Sequence, residues 1–115
     1  MIEAKFYTHK GKIKGFEIKG HSNLYNKFWY KILKKLGIRK KDYICSAVSA
    51  IAYMTVIGLS KVLKNEINFN VNKSGYMKCE LLTQPGRESE KFFKTFKLSL
   101  LEIEKEYPGN IKVNI

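Results

Sequence analysis

The chain opens on a regular alternation, with Ile2, Ala4 and Phe6 on one phase and Glu3, Lys5 and Tyr7 on the other, the period of a strand buried on one face. A turn at His9-Lys10-Gly11-Lys12 leads into a second strand whose apolar positions start at Ile13 and continue, out of phase, at Phe16 and Ile18. That slip predicts a bulge near Gly15. The strand ends at Gly20-His21. From residue 24 the spacing becomes helical: Leu24, Phe28, Ile32 and Leu36 recur every fourth position, flanked by Tyr25, Trp29 and Leu33, with Lys27, Lys31, Lys34 and Lys35 between them. Gly37 stops this short basic helix, a polar connector runs to Lys41, and Asp42 stands as the N-cap of the next helix.

That helix reads ICSAVSAIAYMTVIGLSKVLK, small or apolar on nearly every side for four turns. A sheet covers only one face of a helix, so the other face requires a second element or another copy of the chain, and a homodimer is expected. Ile67, Phe69 and Val71, the turn Lys73-Ser74-Gly75, and Met77, Cys79 and Leu81 then predict a second hairpin. Pro85-Gly86 breaks the chain. Phe92, Phe93, Phe96, Leu100, Ile103 and Tyr107 form a helical stripe closed by Pro108-Gly109, and Ile111, Val113 and Ile115 add a short last strand. The pattern predicts an α+β fold in two layers. An antiparallel sheet packs against two main helices in the order β-β-α-β-β-α, with a short inserted helix before the central one.

A length of 115 residues supports one core, so residues 1–115 are read as a single domain with an inserted basic amphipathic segment at 24–41. The most apolar run, Ile44 to Leu59, is interrupted by Ser46, Ser49 and Thr55 and falls short of the roughly 20 residues that span a bilayer. The first residues lack the apolar block of a secretory signal. A cytoplasmic protein with no membrane partner is expected.

The net charge of +12 is uneven: residues 1–45 hold twelve Lys or Arg against three acids, and the remainder ten against seven. This basic N-terminal half suits a polyanion such as ribosomal RNA. Twenty of the 22 basic residues are lysine, however, so a lysine-rich composition alone accounts for the balance equally well.

Cys45 and Cys79 fall at a helix start and in mid-strand, which predicts two reduced thiols rather than a disulfide. Neither pairs with another cysteine at a zinc-ligand spacing, and His9 and His21 are the only histidines, so no metal is expected. At a helix start the outward-pointing N–H groups and the positive end of the dipole favour a thiolate, the nucleophilic form. The amides of Ser46 and Ala47 are candidate donors to an oxyanion formed on an attacked carbonyl. Small side chains there leave room for approach. A buried helical cysteine is also a common small core residue, and position alone leaves both readings open. His21, leaving a strand after Gly20, is a candidate base for the thiol or a solvated loop residue. Asp42 either caps the helix, contributing about 1 kcal/mol, or orients the imidazole of His21. Ser49, one turn beyond Cys45, either supports the site or bonds a carbonyl of its own helix.

Gly20-His21 with the strand before it, and the segment Asp42-Tyr43-Ile44-Cys45-Ser46-Ala47-Val48-Ser49-Ala50, together resemble the ribosomal-processing cysteine protease (Prp) family. Its signature is a GH pair at a strand end and a DxxCxAxSA-like helix start. The resemblance extends to the later hairpin, the aromatic last helix and the EKEYPGNIKVNI ending. It implies a cofactor-free homodimeric cysteine endopeptidase that removes a short N-terminal extension from a large-subunit ribosomal protein. Cys45 would be nucleophile and His21 general base, with Asp42, Ser49 and Gly20 in support. The chain departs from the family in the basic aromatic insertion that separates His21 from Cys45. The other expectation from the residues is a non-catalytic RNA-binding or ribosome-associated module, motivated by Lys27 to Lys41 and the aromatics among them.

Overall fold

A computed structural model describes residues 1–20, 40–72 and 76–114, with the backbone alone at 40–43 and 46. The helix expected within 24–36, His21 and the turn at 73–75 lie outside the described residues. Five strands form one sheet: β1 (Ile2–His9), β2 (Lys12–Lys19), β3 (Ile67–Val71), β4 (Met77–Leu81) and β5 (Ile111–Asn114), in the spatial order β3-β4-β2-β1-β5. Helix α1 (Lys40–Ile57) continues into a wider π-helical turn at Gly58–Val62, and α2 spans Arg87–Glu106. The α+β architecture with two main helices is the one expected.

The alternation in β1 and the phase slip in β2 explain each other in the strand register. Phe6 pairs with Phe16 and Tyr7 with Gly15, but Thr8 pairs with Ile13, leaving Lys14 as the extra residue of a bulge. The slip returns Ile13 to the buried face shared by Phe16 and Ile18. Ile13's amide is satisfied from outside the sheet, donating to Glu90 Oε2 of α2 at 2.7 Å. Gly15 sits where β4 comes closest: a Cβ there would lie 2.6 Å from the Cys79 carbonyl oxygen, so only glycine fits.

The sheet is antiparallel except at one edge, where β5 runs parallel to β1. The direction follows from the route. β4 already runs parallel to β1, and α2 returns the chain across the helical layer so that β5 repeats that direction. β5 is a sheet edge, and one of its amides, that of Val113, is covered by Glu104 Oε2 of α2 at 2.8 Å.

Among the described residues, the strands bury their core side chains on one face of the sheet, beneath the helices. Phe16 is fully buried, with its ring centroid 4.7 Å from Phe96 and 6.4 Å from Phe93. Helix α1 buries Ile44, Cys45, Val48, Ala52 and Val56, a stripe at helical spacing, and the π-helical turn adds Leu59. The other side of α1 leaves Tyr53, Met54 and Ile57 exposed. The opposite face of the sheet carries polar side chains.

Candidate functional site

Residues 40–42 are already helical, ahead of the helix start that the sequence suggested. Lysine is a good helix former, and nothing in Lys40-Lys41 stops the helix before Asp42. Asp42 is therefore a helical residue close to the described start of α1, and not the N-cap. An acidic residue there still complements the helix dipole. Cys45 is preceded by at least five helical residues. The amides of Ser46 and Ala47 lie within the helical hydrogen-bond ladder.

Cys45 is 1% exposed and belongs to the core cluster formed with Ile44, Val48 and Ala52. Ser49 is half-buried and, four residues on, shares its face of the helix. Gly20 marks the point where β2 ends. Its φ of +93° and the Met1 carbonyl oxygen, 2.5 Å from where a Cβ would stand, both require glycine. The structure thus groups Cys45 with Ser49 on one helix face and sets Gly20 at the strand end from which residue 21 departs.

The two cysteines are not joined in a disulfide. They differ in what surrounds them. Cys79 lies in mid-sheet on β4, opposite Phe16 on one side and Phe69 on the other, and burial pushes its thiol up to about 12. A thiol held protonated that far above neutrality is a core side chain.

The strongest electrostatic feature lies on the open face of the sheet, and the alternation pattern did not single it out. Glu17 Oε2 accepts hydrogen bonds from the hydroxyls of Tyr7 at 2.7 Å and Tyr76 at 3.0 Å, while Oε1 lies 3.0 Å from Lys19 Nζ. Burial opposes ionisation of Glu17, but Tyr7, Lys19 and Tyr76 outweigh it and hold the carboxyl at about 2, below its usual 4.5. The hydrogen bond to Glu17, with burial and the charge of Glu17, pushes the Tyr7 hydroxyl up to about 12. The partners come from β1, β2 and the start of β4, so only the strand register reveals the cluster.

These shifts have opposite pH signatures. The stability from Glu17 is complete above pH 4.5 and disappears as pH falls through about 2; that from Tyr7 is complete below pH 10 and is lost as pH rises through about 12. Glu17→Gln is expected to unfold at lower urea concentration than wild type at pH 7, with the gap closing between pH 4.5 and 2. A gap constant across that range would show that Glu17 is not the titrating group.

Among the described residues, no helix is long and apolar enough to cross a membrane. No curated protein matches the chain significantly. A crystal structure of a Streptococcus mutans protein shares 22% identity and superposes with a TM-score of 0.78 over 100% of this chain and 96% of that one. The Staphylococcus aureus ribosomal processing protease Prp with a substrate peptide gives 21% identity and a TM-score of 0.81, over 99% of this chain and 98% of its own. The same protease with a covalently linked product peptide gives 21% and 0.75 over the same shares. These likenesses establish a shared fold. Residues 1–112 match the family described as cysteine protease Prp, which covers β1 to within β5 and includes both the Gly20-His21 and Cys45 segments, so the chain belongs to the Prp family of cysteine proteases.

Proposed function

We propose that this protease removes a short N-terminal extension from a large-subunit ribosomal protein, with Cys45 as nucleophile and His21 as general base. The family match over residues 1–112 carries the reading. It is supported by the fold shared with a protease described as ribosomal-processing and holding a substrate peptide. The chemistry of the two thiols favours Cys45, because Cys79 is shut into the sheet with its thiol raised to about 12.

In this mechanism His21 takes the Cys45 proton, and the sulfur attacks the scissile carbonyl to form a tetrahedral oxyanion. The intermediate collapses to an acyl-enzyme as His21 returns the proton to the leaving amine. Water, deprotonated by His21, then releases the acid. Gly20 sets the backbone direction at the residue before His21, Asp42 sits one turn before Cys45, and Ser49 lies one turn after it. In the helical conformation the amides of Ser46 and Ala47 are already spent on the ladder. Their service as oxyanion donors therefore requires the first turns of α1 to open as substrate seats, which also uncovers the buried Cys45 sulfur.

The exposed apolar side of α1, Tyr53, Met54 and Ile57, supports a homodimer, and the reading places the protein in the cytoplasm beside ribosomal particles. The test is incubation of the chain with a peptide copied from the N-terminus of the extended ribosomal protein of the same organism. Mass spectrometry should find one new terminus, and His21→Ala should slow its appearance at least 100-fold. An intact peptide, or cleavage unaffected by the His21 change, overturns the assignment.

A further inference from the structure

The open face of the sheet carries a pattern of charged and aromatic side chains on the side away from Cys45. The strand register aligns Asn114, Lys5, Glu17, Lys78 and Asn70 in one row that crosses all five strands from β5 to β3. At about 4.8 Å per strand the row is roughly 19 Å long. A neighbouring row runs Lys112, Glu3, Lys19. Of the acids in this field, Glu17 and Glu80 have partners, while Glu3 is exposed between Lys112 and Lys19. Glu17 is 9% exposed, closed over by Tyr7, Tyr76 and Lys19, and Glu80 lies 3.7 Å from Lys14.

What faces solvent is mainly basic and aromatic, with lysines on four strands against the one exposed carboxylate of Glu3. The Lys78 and Lys5 ammonium groups sit 5.1 and 5.7 Å from the centre of the Tyr7 ring, and the Tyr7 hydroxyl is tied down by Glu17. The ring is held in orientation and has two cations beside it. Asn70 and Asn114 place amide groups at the two ends of the row.

A sheet surface that presents immobilised aromatic side chains among lysines and amides fits a flexible polyanion whose bases can stack and whose phosphates follow the lysines. An acidic peptide would satisfy the lysines and leave the tyrosines unused. A duplex would present its phosphates but keep its base faces stacked away from the rings. The geometry points to single-stranded RNA as the ligand of this face, bound across the strands on the side of the sheet opposite Cys45. The helical layer carrying Cys45 and the open face are separated by the sheet, so both can be occupied at once. RNA binding here is independent of the peptidase reading.

The experiment is fluorescence anisotropy with a labelled 12-nucleotide single-stranded RNA at several salt concentrations. Wild type is expected to bind with affinity falling steeply in salt, at about 0.7 in the log–log slope for each phosphate engaged. Lys5→Glu/Lys78→Glu is expected to weaken binding at least tenfold and to reduce that slope by more than one. Tyr7→Leu is expected to weaken binding several-fold with the slope unchanged. Lys91→Glu/Lys94→Glu, on α2 in the helical layer, should bind within about twofold of wild type. Thermal melts of each variant separate lost binding from lost fold. Equal binding by Lys5→Glu/Lys78→Glu and wild type overturns the proposal, as does equal binding of a 12-base-pair RNA duplex or equal competition by poly-glutamate.

Discussion

Phe16→Ala is expected to lower the unfolding free energy by about 3–5 kcal/mol, enough to leave the chain substantially unfolded if its total stability lies near the low end of the usual 5–15 kcal/mol. Phe16 is fully buried at the centre of the sheet. It lies opposite Phe6 on β1 and Cys79 on β4, while from above it meets Phe93 edge-on and Phe96 at a tilt. Phe6 in turn meets Phe96 at 5.9 Å, so one ring links two strands to α2. A cavity there is enclosed by hydrogen-bonded strands on one side and a packed helix on the other, and neither can move in to fill it. Each lost ring pair adds to the lost burial. Phe92→Ala supplies the contrast: half-buried and lining the apolar groove between α1 and α2, it should cost markedly less. Urea unfolding with an unchanged slope would measure both. A Phe16→Ala loss no larger than that of Phe92→Ala would mean that the Phe16 site collapses and that the packing centre lies elsewhere.

Much of this framework was legible from spacing because strands and helices bury one face, and burial leaves a period. Ile2/Ala4/Phe6 and Met77/Cys79/Leu81 declared their strands, and Phe93/Phe96/Leu100 their helix. Even the bulge was readable, because Ile13 and Phe16 cannot both face the core without an extra residue between them. Contacts that depend on distant partners were not legible. Ile13's amide finds Glu90 and Tyr7 finds Tyr76 through Glu17, each across a sequence gap that periodicity does not bridge. The start of α1 was misplaced because Asp42 has the chemistry of a cap while Lys40-Lys41 has that of a helix, and the propagating helix prevailed. For the site, the sequence offered residue types and a family pattern. The burial of Cys45, and the commitment of the Ser46 and Ala47 amides to the ladder, are tertiary and helical facts that no motif contains.

Those two facts shape the second prediction, in which the cysteines behave oppositely. With Cys45 as the proposed nucleophile, Cys45→Ala is expected to reduce cleavage of the ribosomal-protein peptide by about 10⁴-fold or more, since it removes the sulfur that forms the acyl-enzyme. Cys79→Ala should retain activity within about threefold and lose only a little stability, because its side chain contributes packing alone. Iodoacetamide labelling read by mass spectrometry gives an independent account. Cys79, wholly buried with its thiol near 12, should remain unlabelled in the folded chain at pH 8 and react once urea unfolds it. Cys45 should label in the folded chain, slowly, at a rate set by how often the start of α1 uncovers it. In the mechanism proposed above, the reactivity of Cys45 at pH 7 depends on proton transfer to His21. Labelling of Cys45 should therefore fall several-fold in His21→Ala while its rate in urea is unchanged. If Cys79→Ala instead abolished cleavage and Cys45→Ala preserved it, the burial and strand position of Cys79 would have to be wrong together, and the assignment of the nucleophile with them.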